Sequence, residues 1–275
     1  MESVAELVRF GEDVYGFRWL NHVSLFIVTD EGVILVDPIG QVNPRTPSVL
    51  KEAVRSVSEQ PVRRVIYSHW GADHGMGGEV FADTAQFIGH RRAAEKIALA
   101  ADPGSPVPRD VVDGMTTVEL GGKQVVLYPA ETSETDDYLI IHYPAGRLAM
   151  YVDFMQPANV PYGTLLGHPD RIVERLQWMH DTLDFDVVVS GHASPRMTGT
   201  KADVLEQRQY YLDLSDAIDA ARGSGHGDGS PEMAEAVRGV LEGRYGGWRR
   251  FDEFLRLNIE GMIAKRGGEY VGRMV

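Results

Sequence analysis

Ser68-His69-Trp70-Gly71-Ala72-Asp73-His74-Gly75-Met76-Gly77-Gly78 is the stretch on which the reading of this chain turns. It follows Val62–Tyr67 (VRRVIY), a β-branched run expected as a strand. Three residues able to bind metal, His69, Asp73 and His74, therefore leave one strand end close together. Imidazole nitrogen is a borderline donor and carboxylate oxygen a hard one, so the set suits zinc, iron or manganese. The glycines let the backbone turn sharply and approach a ligand closely. Strand ends are also where layered α/β proteins usually carry their ligand sites. Taken singly, Asp73 reads as a helix cap and either histidine as a satisfied core residue. The rest of the chain displaces that plainer reading.

Upstream, HVSLFIVTDEGVILVDPIG contains two apolar runs, Ser24–Val28 and Val33–Val36, parted by Thr29-Asp30-Glu31-Gly32. Asp and Gly between such runs supply a turn, so a β-hairpin is expected. Thr46–Glu59 has helical apolar spacing between Pro44 and Pro61. Downstream, strands are expected at Ala85–Ile88, Thr116–Leu120, Lys123–Tyr128, Tyr138–His142, Leu148–Val152 and Val187–Ser190. Helices are expected at Arg91–Ala101 and Asp170–Leu183, with a weaker one at Glu79–Asp83. Strands alternating with helices in two successive halves make the chain α/β or α+β. After Lys201 only helices are expected: Val204–Arg222, Glu232–Glu242 and Gly247–Lys265. GSGHGDGS between the first two follows a helix, not a strand, and reads as a connector with His226 solvated in it.

Composition narrows the function classes. The 275 residues are 43% apolar and 24% charged, a globular balance. With 27 basic against 40 acidic residues the net charge is −13, which disfavours nucleic-acid binding. The absence of cysteine removes disulfides, thiolate metal sites and thiol nucleophiles. MESVAELVRF lacks the apolar region of a secretory signal, and no apolar stretch reaches the roughly 18 residues of a membrane helix. A soluble, cytoplasmic protein with no nucleic-acid or membrane partner is expected.

His69-x-Gly71-x-Asp73-His74, followed by Gly77-Gly78, resembles the His-x-His-x-Asp-His signature of the metallo-β-lactamase superfamily. The likeness extends over most of the first two hundred residues. The hairpin ending in Val36-Asp37 is similar to the family's early strand with its buried Asp. Leu148–Asp153 is similar to the strand whose terminal Asp bridges two metals, with Val152 in the usual Gly place. Ser190-Gly191-His192-Ala193-Ser194 is similar to the late loop that gives the last His. The fold implied is an αββα four-layer sandwich over residues 1–200, with an additional C-terminal helical region, 201–275, packed on it.

The metal ligands this resemblance implies are His69, Asp73, His74, Asp153 and His192. Two positions depart from the pattern. Gly71 stands where the second His belongs and offers no donor, and Glu134 falls in the third His place, with Glu131 a weaker candidate. Asp73, His74, His192 and Asp153 then make one complete position, while the other keeps His69, Glu134 and a share of Asp153. The cofactor expected is one or two divalent ions, zinc first, with manganese or iron as the alternative an oxygen-rich set favours.

A bound dication lowers the pKa of its water towards about 7. The function implied is thus a metal-dependent hydrolase using a metal-bound hydroxide on a small-molecule ester, thioester, lactone, amide or activated aryl ether. Asp73 and His69 are the candidate catalytic groups, His69 as a ligand or as a base behind the ligands. Trp70 in the metal loop, and Phe154, Tyr162 and His168 after Asp153, are the candidate substrate contacts. His90 reads as a helix-start residue. Two alternatives stand beside this one: a non-catalytic, metal-poor binding protein or partner subunit of the same fold, and a carboxylate-bridged di-iron redox protein. The aromatic stripe Tyr210, Tyr211, Tyr245, Trp248, Phe251 and Phe254 reads as core or as a homo- or hetero-oligomeric interface.

Overall fold

The computed structural model describes residues 5–130, 136–192 and 196–267. Among them, thirteen strands form two mixed sheets. The first sheet runs in order β1 (Ala5–Arg9), β2 (Val14–Trp19), β3 (His22–Thr29), β4 (Gly32–Val36), β5 (Val62–Ile66), β6 (Gln86–His90) and β7 (Asp110–Val112). Its first four strands pair antiparallel and the rest parallel. The second sheet holds β8 (Thr116–Leu120), β9 (Lys123–Pro129), β10 (Leu139–Tyr143), β11 (Leu148–Met150), β12 (Val187–Val189) and β13 (Thr198–Gly199). They are ordered β13-β12-β11-β10-β9-β8, with β11 and β12 parallel.

Helices α1 (Thr46–Val57), α2 (Ala72–Gly75) and α3 (Arg91–Ala100) fall within the first half. Helices α4 (Pro169–Thr182), α5 (Lys201–Gly223), α6 (Pro231–Tyr245) and α7 (Phe251–Arg266) follow in the second.

The layers follow from the two-residue period of strands. In β3, Leu25 and Ile27 face the second sheet while Phe26 faces outward. In β4, Ile34 and Val36 point inward, and Val33 and Leu35 outward. On β10, Leu139 and Ile141 meet the first sheet, and Ile140 turns the other way. Both faces of each sheet are therefore apolar and must be covered. Leu50 and Val54 of α1 and Ile97 of α3 cover the first sheet. Ile172, Leu176 and Met179 of α4 share one core with α5, α6 and α7 over the second. The result is the αββα four-layer sandwich, and the aromatic stripe lies inside it: Tyr210, Tyr245 and Phe251 are buried.

The expected hairpin is β3–β4, paired from Leu25↔Val36 to Thr29↔Gly32. Helix starts follow their local chemistry. Thr200 and Asp203 form a capping box at α5, and the Ser230 hydroxyl accepts from Met233 N at α6. Asp73 lies inside α2, whose N-cap is Gly71, so it is not the cap that its position in sequence suggested. The weak helix expected at Glu79–Asp83 is a single 3₁₀ turn, Gly78–Phe81. The short strands β1, β2, β7 and β13 lacked a decisive sequence pattern. No helix among the described residues is long and apolar enough to cross a membrane.

Candidate metal centre

Asp37 organises the loop after β5. It sits at the end of β4 with a left-handed backbone (φ 56°), a conformation Asp tolerates better than most residues. Its buried carboxylate accepts from the Ser68 N–H at 2.8 Å and the Ser68 hydroxyl at 2.6 Å. The same carboxylate lies 3.2 Å from His74 Nδ1. A carboxylate behind an imidazole fixes the ring and aims its other nitrogen outward. The turn of α2 then brings Asp73 and His74 to the same mouth.

Two residues arrive from opposite sheets. His22 opens β3, and His192 follows β12; the two form an isolated antiparallel bridge. Beside it, Val23 N–H donates to the Gly191 carbonyl at 2.9 Å. A Cβ at Gly191 would lie 2.6 Å from a Val152 methyl, so glycine lets this strand end pack against the end of its neighbour β11. Asp153, just past β11, also takes a left-handed backbone (φ 66°).

The donor atoms of His22, Asp73, His74 and His192 all lie within 4.8 Å of one another. His22 Nε2 is 3.2 Å from Asp73 Oδ2, and His74 Nε2 is 3.2 Å from His192 Nε2. His192 Nε2 lies 2.7 Å from Asp153 Oδ1, and His74 Nε2 3.9 Å from it. Ligand bonds of about 2.0–2.2 Å place donors roughly 3–4 Å apart around one ion. Three imidazoles and the Asp73 carboxylate at these spacings suit a divalent cation, with Asp153 Oδ1 beside His192.

Charge in the site supports that fit. Burial opposes ionisation of Asp153, but the hydrogen bond with His192 and the charges of His192, His69 and His74 outweigh it and hold the carboxyl well below its usual range. Burial likewise opposes Asp73, and its bond with His22 and the charge of His74 win. Burial alone would depress His74, yet the Asp37 bond and the surrounding carboxylates push it up to about 9. Burial dominates at His22 and His69, which are both lowered. The cluster concentrates negative charge that only protons or a cation can offset.

The other side of Asp153 is built differently. Tyr138 donates to Asp153 Oδ2 at 2.5 Å, and its ring stacks on His69 with centroids 4.2 Å apart and planes at 10°. Leu139 N–H donates to the Ser68 carbonyl at 2.8 Å, which seats the start of β10 beside the metal loop. His69 Nε2 lies 3.5 Å from Asp153 Oδ2 and His69 Nδ1 2.9 Å from the Ser68 hydroxyl. A Cβ on Gly71 would come within 2.3 Å of His69 Nε2.

The structure thus brings Asp73, His74 and His192 together with His22, sets Asp153 Oδ1 against His192 at the edge of that four-donor group, and leaves His69 on the far oxygen of Asp153. Glu134 and Glu131 lie outside the described residues. Trp70 is half-buried beside His69, its backbone N–H donating to Asp137 Oδ2 at 2.9 Å and Lys96 Nζ 5.8 Å from its ring centroid. Phe154 is 2% exposed and packs on Tyr138 and Tyr151, so it is a core residue and not a free pocket wall. Tyr162 packs edge-on against Phe254 of α7, and His168 is the N-cap residue of α4. These contacts tie both to the helical layer. His90 caps α3 by accepting from Arg92 N–H.

The sequence reading missed His22 and Tyr138. His22 is the first residue of an apolar run, a strand end like that of His69, but nothing local says that it pairs across to His192. Tyr138 looked like an ordinary strand aromatic.

A family model described as the metallo-beta-lactamase superfamily matches residues 17–192. No curated protein matches the chain by sequence. Among solved structures, a stereoselective inverting sec-alkylsulfatase from Pseudomonas sp. superposes with TM-score 0.77 at 16% identity, covering 97% of this chain and 51% of its own. This chain therefore spans about half the length of that enzyme. A metallo-beta-lactamase from Pontibacter korlensis gives TM-score 0.65 at 18% identity, over 76% of this chain and 99% of its own. At these identities the likeness is one of fold.

Proposed function

The chain belongs to the metallo-beta-lactamase superfamily, and from that premise we propose that it is a metal-dependent hydrolase of a small ester, thioester, lactone, amide or activated aryl ether. The observation that carries this reading is the convergence of His22, Asp73, His74 and His192 within 4.8 Å, with Asp153 Oδ1 against His192. When bound, a divalent ion, zinc first with manganese or iron as alternatives, supplies Lewis acidity and a water acidic enough to attack at neutral pH. The chain's own groups would hold and aim. His74 is braced by Asp37, and His22 and His192 are fixed by backbone pairing between the sheets. Asp73 is the carboxylate of the cluster that reaches solvent, with 41% of its side chain exposed against 9% for Asp153. It is therefore the group placed to orient an entering water. Trp70, half-buried next to His69, remains the candidate wall for substrate.

The test is metal content and turnover of the wild type and of the Asp73→Ala/His192→Ala double variant. Chromogenic esters, thioesters and lactones would be assayed with zinc, manganese and iron. Secondary sulfate esters join the panel because the likeness to the sec-alkylsulfatase takes in the C-terminal helices as well. Loss of both metal and turnover in the double variant is expected. Full activity in it would refute the assignment, and a folded wild type without metal or turnover would return the non-catalytic alternative.

A further inference from the structure

We infer that this centre takes one cation only, with His22 recruited as a ligand from β3, and that Tyr138 and His69 fill the ground a second cation would need. The inference rests on the metal-centre reading above and concerns how the chain's own residues divide around Asp153.

Three observations carry it. First, the two oxygens of Asp153 face different partners. Oδ1 meets His192 Nε2 at 2.7 Å and His74 Nε2 at 3.9 Å, whereas Oδ2 accepts the Tyr138 hydroxyl at 2.5 Å. An oxygen holding a short bond from a buried phenol has one of its two lone pairs engaged, and the phenol stands in the space that a bridging contact requires. Second, His69 is packed as a wall. Its ring lies flat on Tyr138, its Nδ1 meets Ser68 Oγ at 2.9 Å, and its Nε2 faces Asp153 Oδ2 at 3.5 Å. Third, residue 71 cannot supply a donor, because any side chain there begins 2.3 Å from His69 Nε2 and 3.0 Å from Asp73 Oδ1. The His69 ring occupies the room that a larger residue 71 would claim. The set of donors is instead enlarged on the opposite side, where His22 Nε2 lies 3.2 Å from Asp73 Oδ2.

In this arrangement Tyr138 and His69 are positioning residues. The phenol fixes Asp153 so that Oδ1 alone addresses the cation, and the imidazole holds the phenol. The missing donor at Gly71 and the donor His22 are then linked: coordination absent on the Gly71 side is supplied from β3.

Equilibrium dialysis of the full chain against cobalt(II), with metal counted per chain and the visible spectrum recorded, tests this without an assay of activity. The wild type should saturate at one ion per chain. His69→Ala should keep one ion with the same absorption bands. Tyr138→Phe should also keep one, with a dissociation constant raised about 10- to 100-fold, as for partners that stand behind ligands. His22→Ala should alter the bands, because it removes a donor. Two ions per chain in the wild type would overturn the inference while leaving the hydrolase reading intact. So would a cobalt spectrum changed by His69→Ala but untouched by His22→Ala. A folded wild type that binds none would overturn both. The wild-type count stands even if a variant fails to fold.

Discussion

Tyr138 precedes strand β10 and Tyr143 ends it, and each donates its hydroxyl to an aspartate at 2.5 Å: Tyr138 to Asp153 and Tyr143 to Asp13. The geometry is alike and the surroundings are opposite. Asp13 is a partly exposed turn residue with Lys123 Nζ 2.7 Å away, a permanent positive partner. Asp153 is buried among His69, His74 and His192, whose charge depends on protonation. With lysine present, the phenol–carboxylate pair is a clamp between the β1–β2 turn and the second sheet. Without it, the same pair leaves a buried carboxylate with one oxygen tied and one turned to a cluster that lacks a fixed cation. Only the second arrangement has a use for a metal ion.

Substituting the two aspartates separates the cases most sharply. Asp153→Asn should lower metal affinity by more than about 100-fold, beyond the range usual for groups behind ligands, as calorimetric titration with zinc would record. Asp13→Asn should leave that titration unchanged and cost about 1–2 kcal/mol in urea unfolding, the range for one hydrogen bond to a partly screened charge. Equal metal losses in the two variants would erase the distinction.

His22→Ala probes the open side of Asp153 and His69→Ala the tied side. The former should weaken zinc binding by roughly 100-fold or more, and the latter by no more than about tenfold. Gly71→His tries to undo the tied side by restoring a donor. The clash with His69 should destabilise the fold by about 1–3 kcal/mol, with no second ion gained. Adding His69→Ala should recover part of that stability in the same melt. A second ion in Gly71→His alone would break the comparison.

The smallest effect is one of pH. Burial opposes ionisation of Asp13, but hydrogen bonds from Lys123 and Tyr143 outweigh it, so its folded pKa lies below the ordinary carboxylate value of about 3.9. A depressed carboxylate stabilises the fold above its unfolded pKa, and that contribution fades as pH falls through the folded one. The wild type should therefore lose stability below about pH 4 more steeply than Asp13→Asn. Parallel curves for the two proteins would show that the clamp carries no charge-dependent part.

How much of this could be read from the sequence follows from the range of the forces involved. The β3–β4 hairpin, α1 and α4 were legible because period and turn chemistry are local, and each element held to within a few residues. The Asp73, His74, Asp153 and His192 convergence was legible only through resemblance, since these residues come from separate strand ends. His22 was not legible, because its place is set by backbone pairing with His192 across two sheets that share no local pattern. The role of Tyr138 was hidden for a related reason: a strand tyrosine looks the same whether its hydroxyl meets water or a buried carboxylate. Phe154, read as a pocket contact, proved to be core because the turn after β11 points it at Tyr138 and Tyr151.

The seam where Val23 meets Gly191 has a consequence for how the halves align. Across their shared core the two sheets touch through methyl and methylene groups, which slide past one another at little cost and would accept several offsets. The directional backbone bond in the seam, with the Leu139–Ser68 bond and the Tyr143–Asp13 clamp, acts as a peg that selects a single offset. Loosening it, as a proline at position 23 would, could draw imidazoles from opposite layers out of reach of a common point without altering any of them.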